Sequence, residues 1–175
     1  MNRKNTVVIV MSVVMLFASL AIGADSQKSS HFGIGANYWK AVKDIDVQNV
    51  DKNGMSWLLT YKYAPDTLLK LEADLEVFKK GFAGVTENVY APQAYVILGA
   101  GLYAGLGIGT YYADGGFADS PFYAFKAGLD LELLPSIWLD INANYRFNEW
   151  GNLGDVAENI STDTVTIGAA LRLAF

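Results

Sequence analysis

Between Leu69 and Val77 every second residue is charged, and this restricts the chain more than any other feature. Leu69, Leu71, Ala73, Leu75 and Val77 hold one parity, while Lys70, Glu72, Asp74 and Glu76 hold the other. A β-strand sends those two sets to opposite faces. A helix would wind the charge around its whole circumference, because apolar residues at every second position cannot gather into one stripe at 3.6 residues per turn. Residues 67–78 therefore read as a strand with one polar and one apolar face.

The same period recurs along the chain. Residues 137–147 set Ile137, Leu139, Ile141, Ala143, Tyr145 and Phe147 against Trp138, Asp140, Asn142, Asn144 and Arg146. Residues 123–133 set Tyr123, Phe125, Ala127, Leu129, Leu131 and Leu133 against Ala124, Lys126, Gly128, Asp130 and Glu132. Residues 55–63 and 165–175 alternate likewise, the latter placing Arg172 on its less apolar parity and ending on Phe175. Two weaker strands, 31–39 and 102–112, carry glycines on the less apolar parity; Gly105, Gly107 and Gly109 either leave a groove beside the inward charges or admit bulky neighbours such as Tyr103 and Trp138 over them, packing being the expected use. An eighth, 89–98, is apolar on both faces, so its facing stays open, and Pro92 suggests that its ladder begins just before or after that residue.

Connections alternate in length. Short ones fall near 64–66, 99–101 and 134–136, and long polar ones near 40–54, 79–88, 113–121 and 148–163. This is the rhythm of an eight-stranded antiparallel up-and-down transmembrane β-barrel, with short turns at the periplasmic rim and long loops outside. Aromatics gather at strand ends: Tyr38, Trp57, Tyr112, Tyr123, Tyr145 and Phe147 toward the outer rim, Phe32, Tyr61, Tyr63 and Phe175 toward the inner one. Two interfacial girdles of this kind favour a membrane barrel over a soluble sandwich.

Residues 1–24 have the layout of a cleaved signal peptide: basic Arg3 and Lys4, an apolar run over 7–17, then small residues up to Gly23 or Ala24, either of which suits the cut. The expected organisation is a leader over 1–24 and one barrel domain over 25–175, located in the cell outer membrane. A net charge of −5 makes nucleic acid an unsuitable partner, and the absence of cysteine excludes disulfides and thiolate metal sites. Neither a cofactor nor a metal is expected.

The closing run Val165-Thr166-Ile167-Gly168-Ala169-Ala170-Leu171-Arg172-Leu173-Ala174-Phe175 resembles the last strand of outer-membrane barrels. That resemblance implies recognition by the barrel-assembly machinery through Phe175. As a whole the segment 25–175 resembles the small eight-stranded barrels of the OmpX and OmpA-membrane-domain type, which fixes an architecture and a location more than an activity.

The polar parities supply a set of inward charges: Lys62, Lys70, Lys126, Arg146 and Arg172 against Glu72, Asp74, Glu76, Asp130, Glu132 and Asp140. An eight-stranded barrel is just wide enough for side chains to fill it, so these groups are expected to pair across the lumen and close it. The leading expectation is a structural or surface-interaction barrel whose loops meet a surface ligand. The alternative is a narrow channel for small solutes or ions, and the third class is a lipid-modifying enzyme. An enzyme of that class needs a serine with a histidine base. The single histidine, His31, lies beside Ser29 and Ser30 at the start of the first strand and reads as a solvated terminal residue, so no catalytic site is expected. Lys40, Lys43, Lys52, Lys79 and Lys80 near the outer mouth are suited to lipopolysaccharide phosphates, and Glu149, Asp155, Glu158 and Asp163 make the last loop acidic.

Overall fold

The computed structural model describes residues 29–42, 52–147 and 163–175; residues 1–28, which include the leader, 43–51 and 148–162, and with them the charges Lys43, Glu149, Asp155 and Glu158, lie outside the described residues. Ten strands form among the described residues: β1 (Ser30–Ala41), β2 (Asn53–Tyr63), β3 (Leu69–Phe78), β4 (Val89–Gly99), β5 (Leu102–Gly109), β6 (Tyr112–Ala113), β7 (Gly116–Phe117), β8 (Phe122–Leu134), β9 (Ile137–Phe147) and β10 (Thr164–Ala174). Eight of them make the barrel, in the order β3-β2-β1-β10-β9-β8-β5-β4, and pairing of β3 with β4 closes it. All of these pairs are antiparallel. The remaining two, β6 and β7, form a small hairpin above the long-loop rim.

Closure leaves no free edge, so every wall strand is paired on both sides. The seam joins the first strand to the last: His31 faces Ala174, Tyr38 faces Ile167, and Phe175 donates its amide to the Ser30 carbonyl at 2.9 Å. Both ends of the described barrel thus meet at the rim that carries the short turns.

Burial is inverted relative to a water-soluble protein. Arg146 and Arg172 are each 1% exposed, whereas Ile34, Trp57 and Leu102 are 65%, 63% and 74% exposed. Charge lies within the barrel, and leucine, isoleucine and valine cover its outer wall, as a wall facing hydrocarbon requires. The open facing of β4 resolves by the same criterion: Val89, Ala91, Gln93, Tyr95 and Ile97 point inward and Tyr90, Pro92, Ala94, Val96 and Leu98 outward. Pro92 lies within β4, not at its start. It is tolerated because the partner strand changes there: Gln93 pairs with Gly109 of β5, while Tyr90 pairs with Tyr112 of β6.

The β5 glycines do serve packing, but with other partners than Tyr103 and Trp138. Tyr95 lies over Gly107 so closely that a Cβ there would run into its ring, Phe122 lies over Gly109, and Ile97 lies over Gly105. Tyr103 instead lies over Gly128, where an added Cβ would come 2.5 Å from its hydroxyl. Gly107→Ala is therefore expected to displace the Tyr95 ring at a cost of about 1–3 kcal/mol. A lower midpoint in urea for the compact form would register it, and an unchanged midpoint would refute the close approach.

The barrel interior as candidate functional site

Strand parity decides what enters the lumen, and strand register decides which charges meet. Thr60 and Lys62 of β2 face Asp74 and Glu72 of β3, and Arg172 of β10 faces Trp138 of β9, two residues before Asp140. Side chains from six strands then converge.

Arg172 is the hub. Its Nη1 donates to Asp130 Oδ1 at 2.9 Å and to Asp140 Oδ2 at 2.8 Å; its Nη2 donates to Glu72 Oε2 at 3.0 Å and to Thr60 Oγ1 at 3.3 Å. Lys62 sits against the same carboxylates, 2.8 Å from Asp130 and 3.1 Å from Glu72. Lys126 bridges upward, donating to Glu72 and, at 2.7 Å, to Asp74. Tyr103 donates to Asp140 at 2.6 Å, and Asn142 donates to the other Asp140 oxygen. Most carboxylate oxygens of this set have a donor, Asp74 Oδ1 being the exception, and that matters because a buried charge without a partner costs several kcal/mol, roughly, in desolvation.

A second, smaller group lies nearer the long-loop end. Arg146 pairs with Glu76, which also accepts from Ser56. Gln93, Tyr95 and Asn144 link in a chain, Tyr95 donating to Gln93 Oε1 at 2.7 Å and Asn144 Nδ2 donating to the Tyr95 hydroxyl at 2.6 Å. Lys126, 5.0 Å from the Tyr95 ring centroid, connects the two groups.

Of the eleven charges expected inside, Lys62, Glu72, Asp74, Glu76, Lys126, Asp130, Asp140, Arg146 and Arg172 are buried and joined in these contacts. Lys70 stands at the margin, half-buried, 3.5 Å from Asp130 and donating to the Ala100 carbonyl at 3.1 Å. Glu132 is exposed and takes no place among these pairs: it stays in register with Trp138 but lies at the short-turn end of β8, where the wall ends and solvent begins.

Above the ions the lumen turns apolar. Phe78 and Phe82 stack at 4.0 Å between centroids, Trp39 meets Phe82 edge-on at 4.9 Å, and Tyr111 packs on Phe122 at 4.7 Å. The Arg146 guanidinium lies 5.3 Å from the Phe78 ring and 5.6 Å from that of Phe122, so the cap rests on a cation. Burial pushes the phenol of Tyr111 up to about 12, which keeps it an uncharged hydroxyl. Sequence reasoning missed this cap. The available signal was Phe78, which ends the parity that carries Lys70, Glu72, Asp74 and Glu76.

At the short-turn rim, His31 departs from the expectation of a solvated terminal residue. It is buried within β1 and packs on Trp138 at 5.4 Å between centroids, because β1 begins at Ser30 and pairs there with both neighbours. Ser30 is buried as well, its hydroxyl 3.1 Å from that of Tyr61, and Ser29 is tied through its carbonyl to the Ala64 amide. His31, Lys70, Asp130 and Trp138 line a polar cavity of about 560 Å³ at this mouth. Among the described residues no group of three or more histidine, aspartate and glutamate side chains is arranged to hold a metal ion.

No known protein-family model matches the chain, and no curated protein matches it. Solved structures do. The chain is similar to Neisserial surface protein A, with a TM-score of 0.56 and 18% identity over 84% of this chain and 97% of that one. It also aligns with the N-terminal barrel of Pseudomonas aeruginosa OprF at 12% identity, covering 83% of this chain and 98% of that one with a TM-score of 0.46. For Ail of Yersinia pestis the figures are 22%, 82%, 97% and 0.44. The inverted burial, the closed eight-stranded wall and the likeness to the Neisserial protein agree on one architecture: the chain has the fold of the small eight-stranded outer-membrane β-barrels.

Proposed function

We propose that the chain is an outer-membrane barrel of structural or surface-interaction type, exported by its leader, with no catalytic role, whose closed interior makes it a rigid support for long extracellular loops. The observation that carries this reading is the succession of two barriers along the lumen, the ion pairs centred on Arg172 and the aromatic cap of Trp39, Phe78, Phe82, Tyr111 and Phe122. A hydrated ion meets paired charges first and packed rings next, and neither barrier offers a continuous aqueous route. A wall whose side chains lock across the centre deforms little, which suits loops that must present a fixed surface. Exposed Lys40, Lys79 and Lys80 at the long-loop rim supply cations for lipopolysaccharide phosphates, and the seam ending at Phe175 supplies the aromatic terminus that the assembly machinery reads.

Fractionation and conductance test this together. The mature chain is expected in the outer-membrane fraction, to migrate differently in unboiled and boiled samples, and to produce no steady conductance in planar bilayers. Recovery in the soluble periplasm would end the proposal. Ion-selective conductance that vanishes on changing Arg146 and Arg172 would replace it with a channel.

A further inference from the structure

The long-loop end carries a feature that a closed support does not need. A cavity of about 370 Å³ opens between loop 79–88 and the segment 110–121. Its walls include Phe82, Val85, Val89, Tyr111, Ala113 and Phe117, and among the described residues Asp114 is the one charged group that borders it. Ligand pockets are commonly about 300–1,000 Å³, apolar, with few polar groups. An open apolar concavity among loops that face water is unfavourable unless something apolar occupies it.

The walls are held apart rather than free to collapse. Beneath them lies the cap, in which Phe78 and Phe82 are fully buried. On one side the chain turns tightly, with Gly81 N donating to Val85 O at 2.8 Å and Val85 N to Phe82 O at 3.0 Å. Within that turn Ala83 has φ of 52°, a left-handed conformation rare outside glycine and recurrent where a loop is clamped around a ligand. On the other side Asp114 and Gly115, with φ of 53° and 72°, make the tight turn of the β6–β7 hairpin, a shape that resists bending.

The cavity is also continuous with the outer aromatic belt. Phe117 packs on Tyr112 at 4.9 Å, Tyr112 packs on Tyr90 at 6.4 Å, and Tyr90 belongs to the outward face of β4. An apolar molecule dissolved in the outer part of a bilayer would thus meet an unbroken aromatic path to the cavity. The lone carboxylate of Asp114 disfavours an anionic ligand.

We propose that this cavity binds an uncharged, hydrocarbon-rich small molecule and takes it up from the outer aromatic belt. The test uses the whole barrel in lipid nanodiscs with methyl labels, titrated with 1-octanol, 1-decanol and decanoate. Saturable shifts are expected at Val85, Val89 and Ala113. Affinity should rise about fourfold for each added methylene while space remains, since each buried methylene contributes a similar increment. Decanoate should bind more weakly than decanol at neutral pH. Ala113→Leu and Ala118→Leu, which fill the cavity, should each weaken decanol binding at least tenfold; chain-length and head-group dependence in the unaltered chain decide the matter if a filled variant folds poorly. Shifts that do not saturate, or that appear equally at Leu106 and Ile141 on the lipid face, would mean partition into the bilayer only and would overturn the proposal. Undiminished binding in the filled variants would overturn it as well.

Discussion

Arginine at Ile141 is expected to abolish most of the inserted, heat-modifiable protein, whereas alanine at the same position is expected to leave it nearly unchanged. Ile141 lies midway along β9, faces outward, and stands between Leu129 of β8 and Ala169 of β10. A guanidinium there enters hydrocarbon at about 2–4 kcal/mol. Alanine behaves otherwise than in a soluble core, where truncation of a large aliphatic leaves a cavity worth roughly 2–5 kcal/mol. On a lipid wall acyl chains fill the space, so the cost should be well under that. One residue along the strand the preference reverses. Asn142 is buried and donates to Asp140, so Asn142→Ala should cost about 1 kcal/mol through a lost hydrogen bond, independent of lipid. Equal losses for Ile141→Ala and Ile141→Arg would contradict the membrane-facing assignment of this wall.

Replacing Arg172 by methionine is expected to cost about 3–5 kcal/mol, because it strips a buried cation from carboxylates that stay behind. Those carboxylates do not suffer alike. Glu72 keeps Lys62 and Lys126, and Asp130 keeps Lys62 and Lys70, but Asp140 is left with Lys62 at 3.6 Å. Neutralising Asp140 in the same chain should therefore restore stability: Asp140→Asn retains an oxygen to accept from Tyr103 while removing a charge that only the more distant Lys62 would still offset. Urea titration of folded barrels would show a large fall in midpoint for Arg172→Met and recovery of roughly half of it in the double variant. Additive losses in the double variant would show that Arg172 and Asp140 do not act as a pair.

Parity alone makes most of this wall legible in the sequence. Strict alternation in 69–77 and 137–147 determines which atoms face lipid and which face the lumen, since a one-residue slip exchanges the faces entirely. Where alternation weakens, so does inference. β4 has apolar residues on both faces because its inward Val89 and Ala91 join the apolar cluster of the cap, while Tyr95 and Ile97 fill the lumen lower down without charge, Tyr95 with its ring against Lys126. Phe82 is illegible for another reason: it reaches the lumen from a loop, where no period exists to assign a face. Glu132 obeys its parity, yet parity says nothing about where a wall stops, and this carboxylate lies at the short-turn end of β8, exposed. His31 looks solvated from its nearness to the end of the barrel segment, but the seam that covers it is set by a strand more than a hundred residues away. As for the paired ions, residue type and face are legible, but the choice of partner depends on stagger between strands as much as 112 residues apart in sequence.

That stagger bears on how the cylinder comes together. Thr60, Glu72, Asp130, Asp140 and Arg172 come from β2, β3, β8, β9 and β10, and Arg172 reaches Thr60 and Glu72 only when the last strand has docked on the first. A partly assembled, C-shaped sheet would keep Arg172 beside Asp140 and Asp130 at one lip and leave Thr60 and Glu72, with Lys62, at the other. Such a sheet lacks the contacts that cross the seam, among them those of Arg172 with Glu72 and Thr60. The final docking of β10 onto β1 brings Glu72 and Thr60 to Arg172 in one step, so the ions act as a latch that favours the closed cylinder over the open sheet.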